Sequence, residues 1–70
     1  MRFFTMLIRD KRYLVPIVVY LAVSDKARAA EMAMERLAAS NHHIAVELRD
    51  EDKPLACVER DGVNWFDEAI

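Results

Sequence analysis

A chain of 70 residues with ten basic and twelve acidic side chains, net −2, has no cationic excess, which excludes tight charge-driven binding to a phosphate backbone. Its lone cysteine, Cys57, excludes an internal disulfide and points to a reducing, cytoplasmic compartment. A core of this size supplies only about 3–5 kcal/mol without a staple, so one domain over residues 1–70 that gains stability from a partner chain is expected.

The segment FFTMLIR at 3–9 alternates partially, and RDKR at 9–12 reads as a charged turn. Next comes an apolar run of eleven residues, Tyr13 to Val23, YLVPIVVYLAV. A membrane-spanning helix needs about 20 such residues, and the β-branched content with Pro16 predicts a strand instead. A secretory leader is the rival reading, because basic residues precede the run and Ala27, Arg28, Ala29 imitate a cleavage site. Cleavage there would cut a good helix and leave too little core, so a strand hairpin is preferred. Pro16 cannot donate to a ladder, which places the second strand at an edge or a bulge.

Ser24 reads as a helix N-cap, with Asp25 in the first turn where a carboxylate suits the dipole. Residues 25–40 are rich in Ala, Met, Glu, Arg and Leu, good helix formers. At 100° per residue, Ala27, Ala30, Ala33, Met34, Leu37 and Ala38 share the inner face, with Arg28, Glu31, Glu35 and Met32 on the outer one. Asn41 is the expected left-handed C-cap.

IAVELR at 44–49 alternates, with Ile44, Val46 and Leu48 inward and Ala45, Glu47 and Arg49 outward. DEDKP at 50–54 reads as a loop and LACVER at 55–60 as a strand. Asp61-Gly62 is the strongest turn signal, a type I′ hairpin turn that would pair Arg60 with Val63, Val58 with Trp65 and Cys57 with Phe66. The last strand should end near Asp67.

The expected architecture is α+β: an antiparallel sheet of about five strands with one helix packed on one face, in the order ββαβββ. One helix covers one face, yet the first hairpin is apolar on both, with Leu14, Val18 and Tyr20 on one side and Val15, Ile17, Val19 and Leu21 on the other. Large exposed apolar patches mark interaction sites. A homodimer or a protein partner is therefore expected, with no membrane contact.

His42, His43 and Cys57 invite a metal reading, but adjacent histidines diverge and zinc wants three or four convergent ligands. Cys57 has no base at a spacing that would activate it. No enzymatic activity, metal or cofactor is expected. Over residues 47–68 eight acids face three bases. Asp50, Glu51, Asp52, Asp67 and Glu68 could be a solvated rim, or an anionic surface that docks on the basic nucleic-acid channel of another protein. Trp65 and Phe66 are adjacent in a strand and must face opposite sides, so one ring enters the core and the other joins the partner-binding candidates.

The apolar N-terminal hairpin, the Ser-led Ala-containing helix, the alternating strand and the run Glu59, Arg60, Asp61, Gly62, Val63, Asn64, Trp65, Phe66, Asp67 together resemble the small phage anti-CRISPR proteins of type I systems, nearest in pattern to inhibitors of type I-F. The resemblance implies inhibition of a type I surveillance complex, in the host-cell cytoplasm, by docking on its backbone subunits and blocking target DNA. The type I-F inhibitor is basic near its tryptophan, where this chain has Val63 and Asn64. The architecture and the partner class carry over; no contact residue does, and no direct contact with nucleic acid is expected.

Overall fold

The computed structural model describes residues 2–66. Five strands and a helix follow one another as β1 (Arg2–Asp10), β2 (Ile17–Val23), α1 (Lys26–Ala38), β3 (His43–Asp50), β4 (Lys53–Glu59) and β5 (Gly62–Trp65). Every pairing is antiparallel, and the strands lie side by side as β2-β1-β3-β4-β5. The helix carries the chain from the β2 edge back to the centre and covers one face, so the fold is the expected ββαβββ two-layer arrangement.

β1 and β2 pair without a break from Arg2 and Val23 to Ile8 and Ile17. The second strand thus begins at Ile17 rather than Tyr13. Pro16 ends the ladder because it lacks a donor and fixes its φ. Tyr13, Leu14 and Val15 instead form an exposed loop. That loop opens on Asp10, whose side chain accepts the Arg12 backbone N–H at 2.9 Å and whose carbonyl accepts from Tyr13 N at 3.0 Å, a turn typical of aspartate.

Asp25, not Ser24, caps α1: its carboxylate accepts from Arg28 N at 3.0 Å. Either side chain can serve as a cap, and Asp25 has the extended backbone angles of one. At the other end the cap is Ala39 in a right-handed conformation, so Asn41 is no left-handed cap. The buried stripe is Ala29, Ala30, Ala33 and Leu37, with Met32 packed beside it. Ala27, Met34 and Ala38, expected inside, are exposed, and Met32, expected outside, is not. A stripe made mostly of alanine has little side-chain volume to fix its rotation, and the sheet beneath sets it. α1 rests chiefly across β3.

β3 carries a bulge. Arg9 pairs with Ala45 but Asp10 pairs with His43, which leaves Ile44 as an extra residue. Ile44, expected in the core, turns outward and is 49% exposed. A second irregularity falls in β4, where Leu48 faces Ala56 and Arg49 faces Pro54. Leu55 is the extra residue, which lets Leu55 and Ala56 both be buried and accommodates a proline inside the strand. β4 therefore begins at Lys53, and only Glu51 and Asp52 form the turn, Glu51 with a left-handed φ of 58°.

The final hairpin is displaced by one residue from the expected turn. Glu59 pairs with Gly62, Val58 with Val63, Cys57 with Asn64 and Ala56 with Trp65. Arg60 and Asp61 occupy the turn, and Gly62 leads β5 with φ 140°, which only glycine adopts easily. Arg60 is held out of the ladder by donating to Ser40 O at 3.1 Å and His43 O at 3.0 Å. The shift moves both members of each pair and preserves which side chains share a face. Between α1 and the sheet lie Phe4, Met6, Ile8, Leu21, Val23, Val46, Leu48, Leu55, Ala56 and Val58, with Val19, Val63 and Trp65 packed at the margin.

Candidate protein-binding surface

The face of the sheet opposite α1 has no covering element among the described residues. Alternation and register assemble it in rows: Val18, Leu7, Glu47, Cys57 and Asn64 across the middle, Tyr20, Thr5 and Arg49 beside them, and Ala22 next to Phe3. Its β1–β2 half is apolar, with Phe3 73% and Tyr20 79% exposed and Val18 half-exposed. Its β3–β4 half mixes charge with apolar surface, and Arg49 donates to Glu47 at 3.0 Å.

A concavity of ≈ 420 Å³ lies in this face, lined by Leu7, Arg9, Ile44, Cys57, Glu59 and Phe66 among others. The bulge builds one wall by turning Ile44 outward, and the residue after β5 builds another. Phe66 N donates to Leu55 O at 2.8 Å, which extends the last pairing by one step and holds the ring over the open face at 50% exposure. Burial, with Glu59 and Glu47 nearby, pushes the Cys57 thiol up from its ordinary value, so it is present as the thiol, a poor nucleophile at neutral pH. Arg9 forms no ion pair among the described residues and offers a cation at the rim.

Trp65 takes the inner position, half-buried against the core, with the Lys26 ammonium 5.3 Å from its ring centroid. Of the two adjacent rings, then, Phe66 is the one on the open face. Asp50 is not a bare acid, since Arg2 reaches it at 2.6 Å. Glu51 and Asp52 are exposed at the β3–β4 turn. Asp67 and Glu68 lie outside the described residues.

A buried polar junction went unread in the sequence. Asp10, 1% exposed, receives Arg12 Nε at 3.0 Å and Nη2 at 2.7 Å. Those bonds, with the Arg12 backbone and the nearby His43, hold its carboxyl far below the usual carboxylate range despite the opposing cost of burial. The bulge that expels Ile44 turns His43 inward, where Nδ1 donates to the helix-end carbonyl of Arg36 at 2.6 Å and Nε2 lies 3.6 Å from Asp10 Oδ2. A carbonyl only accepts, so Nδ1 carries the proton. The junction ties the β1 end, the β3 start and the C-terminus of α1 together. The sequence signal was Asp10 two residues before Arg12, an aspartate-turn spacing. His43 is thus engaged on the helix side, while Cys57 lines the open face, and among the described residues no group of three or more His, Cys, Asp or Glu could hold a metal ion.

Fold and surface together define a small α+β domain with one sheet face uncovered among the described residues. No described helix is long and apolar enough to cross a membrane. Comparison with known protein families, characterised proteins and solved structures found no match.

Proposed function

We propose that this chain is a non-enzymatic inhibitor that binds a nucleic-acid-handling protein complex through the open face of its sheet. A type I CRISPR surveillance complex is the target to which the resemblance points, and blockage of target DNA is the effect. The observation that supports the reading is the exposed apolar surface of Phe3, Val18 and Tyr20 on the same face as a concavity, lined by Leu7 and Phe66, that is large enough for an anchoring side chain. Interfaces concentrate their energy in such anchor pockets. The face carries Arg9 and Arg49 against Glu47 and Glu59, a balance that suits a protein surface better than a phosphate backbone.

The test is a pull-down of purified type I surveillance complex on the immobilised chain, followed by a target-DNA retention assay. Micromolar binding with loss of DNA retention is expected; no capture at about 10 µM would remove the reading. A second reading, a homodimeric module with no foreign target, draws on the same exposure of Phe3, Val18 and Tyr20 in the first hairpin.

A further inference from the structure

The sheet has two edges, and they are built differently. β5 is four residues long and follows the charged turn Arg60–Asp61. β2 is seven residues long, IVVYLAV, with no charge, proline or glycine in it, and its register with β1 is unbroken. Edge strands are normally protected by shortness, charge, proline or a bulge, because a free row of backbone donors and acceptors templates another strand. β2 has none of these protections, although the chain uses bulges in β3 and β4. α1 packs over the end of its inner face at Leu21 and Val23 but leaves the other end less covered, with Val19 only partly buried and Ile17 exposed.

We propose that β2 pairs antiparallel with β2 of a second copy of this chain, about a two-fold axis at Tyr20, joining two sheets into one. Full overlap of the seven residues sets the register. Ile17 lies opposite Val23 of the second copy, Val18 opposite Ala22, Val19 opposite Leu21, and Tyr20 opposite its own counterpart. Side chains directly opposite in an antiparallel ladder share a face. Val19, Leu21 and Val23 of both copies therefore line up on the helix side, and the half-covered Val19 is sealed by Leu21. On the open side a valine meets the smaller alanine. No like charges meet anywhere in the contact.

Self-pairing also accounts for the exposed edge without creating another. An isologous contact consumes the same strand in both copies and closes, leaving, among the described residues, the two short β5 edges. Ile17, Val18 and Tyr20, all exposed in the single chain, lie along the paired strand, where the contact withdraws apolar surface from water. Leu7, Cys57 and Phe66 stay open, so the concavity stays accessible in the dimer, while Val18 and Tyr20 belong to both surfaces.

Light scattering at about 100 µM is expected to give twice the 8.1 kDa monomer mass, and a strict monomer overturns the proposal. Tyr20→Cys in a Cys57→Ser background should cross-link on mild oxidation. Opposed Cα atoms lie about 4.5–5.5 Å apart in such a ladder, within disulfide reach. Asn64→Cys on the β5 edge should not cross-link. A dimer that cross-links through Phe3→Cys and not through Tyr20→Cys would overturn the edge contact while sustaining a face-to-face homodimer. Tyr20→Lys sets two cations against each other at the axis and should raise the dimer dissociation constant at least about tenfold. Val18→Lys serves as the second variant should Tyr20→Lys lose its circular dichroism, and an undiminished dimer in a folded variant counts against the proposal.

Discussion

Asp10 is where a single side chain does most to organise the molecule. It starts the β1–β2 loop, binds Arg12 through both carboxylate oxygens and faces His43 across the bulge. Its carboxyl is held below its unfolded value, near 3.9, mainly by hydrogen bonds from Arg12. A depressed carboxylate adds stability that is full above the unfolded value and is lost as pH falls below it toward the folded value. Asp10→Asn is therefore expected to lower the urea midpoint at pH 7 and to flatten its fall below about pH 4, which denaturation from pH 2 to pH 7 would check. A variant as acid-sensitive as the parent would show that other carboxylates dominate. The charged turn at 9–12 was legible in the sequence; the role of Asp10 in it and its burial were not, since they follow from strands and a helix end converging from distant positions.

Among the elements, β3 shows how one extra residue redirects a strand. Simple alternation places Ile44 with Val46 and Leu48 in the core, and the bulge removes it and inserts His43 instead. Leu48→Ala, at a site with no solvent exposure, should cost about 2–5 kcal/mol. Ile44→Ser should cost less than about 1 kcal/mol. Equal losses in chemical denaturation would mean that Ile44 is core and the bulge is misplaced. α1 makes a related point. Its extent was readable from its composition, but its rotation was not, because a buried stripe with three alanines, Ala29, Ala30 and Ala33, beside Leu37 gives a shallow preference that contact with β3 overrides.

At the level of the whole molecule, one layer of helix on five strands leaves a face to be used, and the terminal hairpin assigns its rings accordingly. Trp65 packs toward α1 and Phe66 lines the open concavity. Trp65→Ala is expected to destabilise by about 2–3 kcal/mol, several degrees in melting temperature. Phe66→Ala should leave the melting temperature within about 2 °C while weakening capture of the partner complex roughly tenfold or more. Scanning calorimetry with the pull-down separates the two effects, and matching losses of stability in both variants would make the pair plain core. The number, order and type of elements were legible because strand alternation, helix composition and the punctuation at Pro16 and Gly62 are local properties of a chain. Even the faces of β4 and β5 came out correctly from a turn misplaced by one residue, since moving both partners together preserves parity. Which residues bulge, how α1 is turned and which ring goes inside depend on partners tens of residues away. Those choices are settled by packing between strands that meet only once the chain is folded.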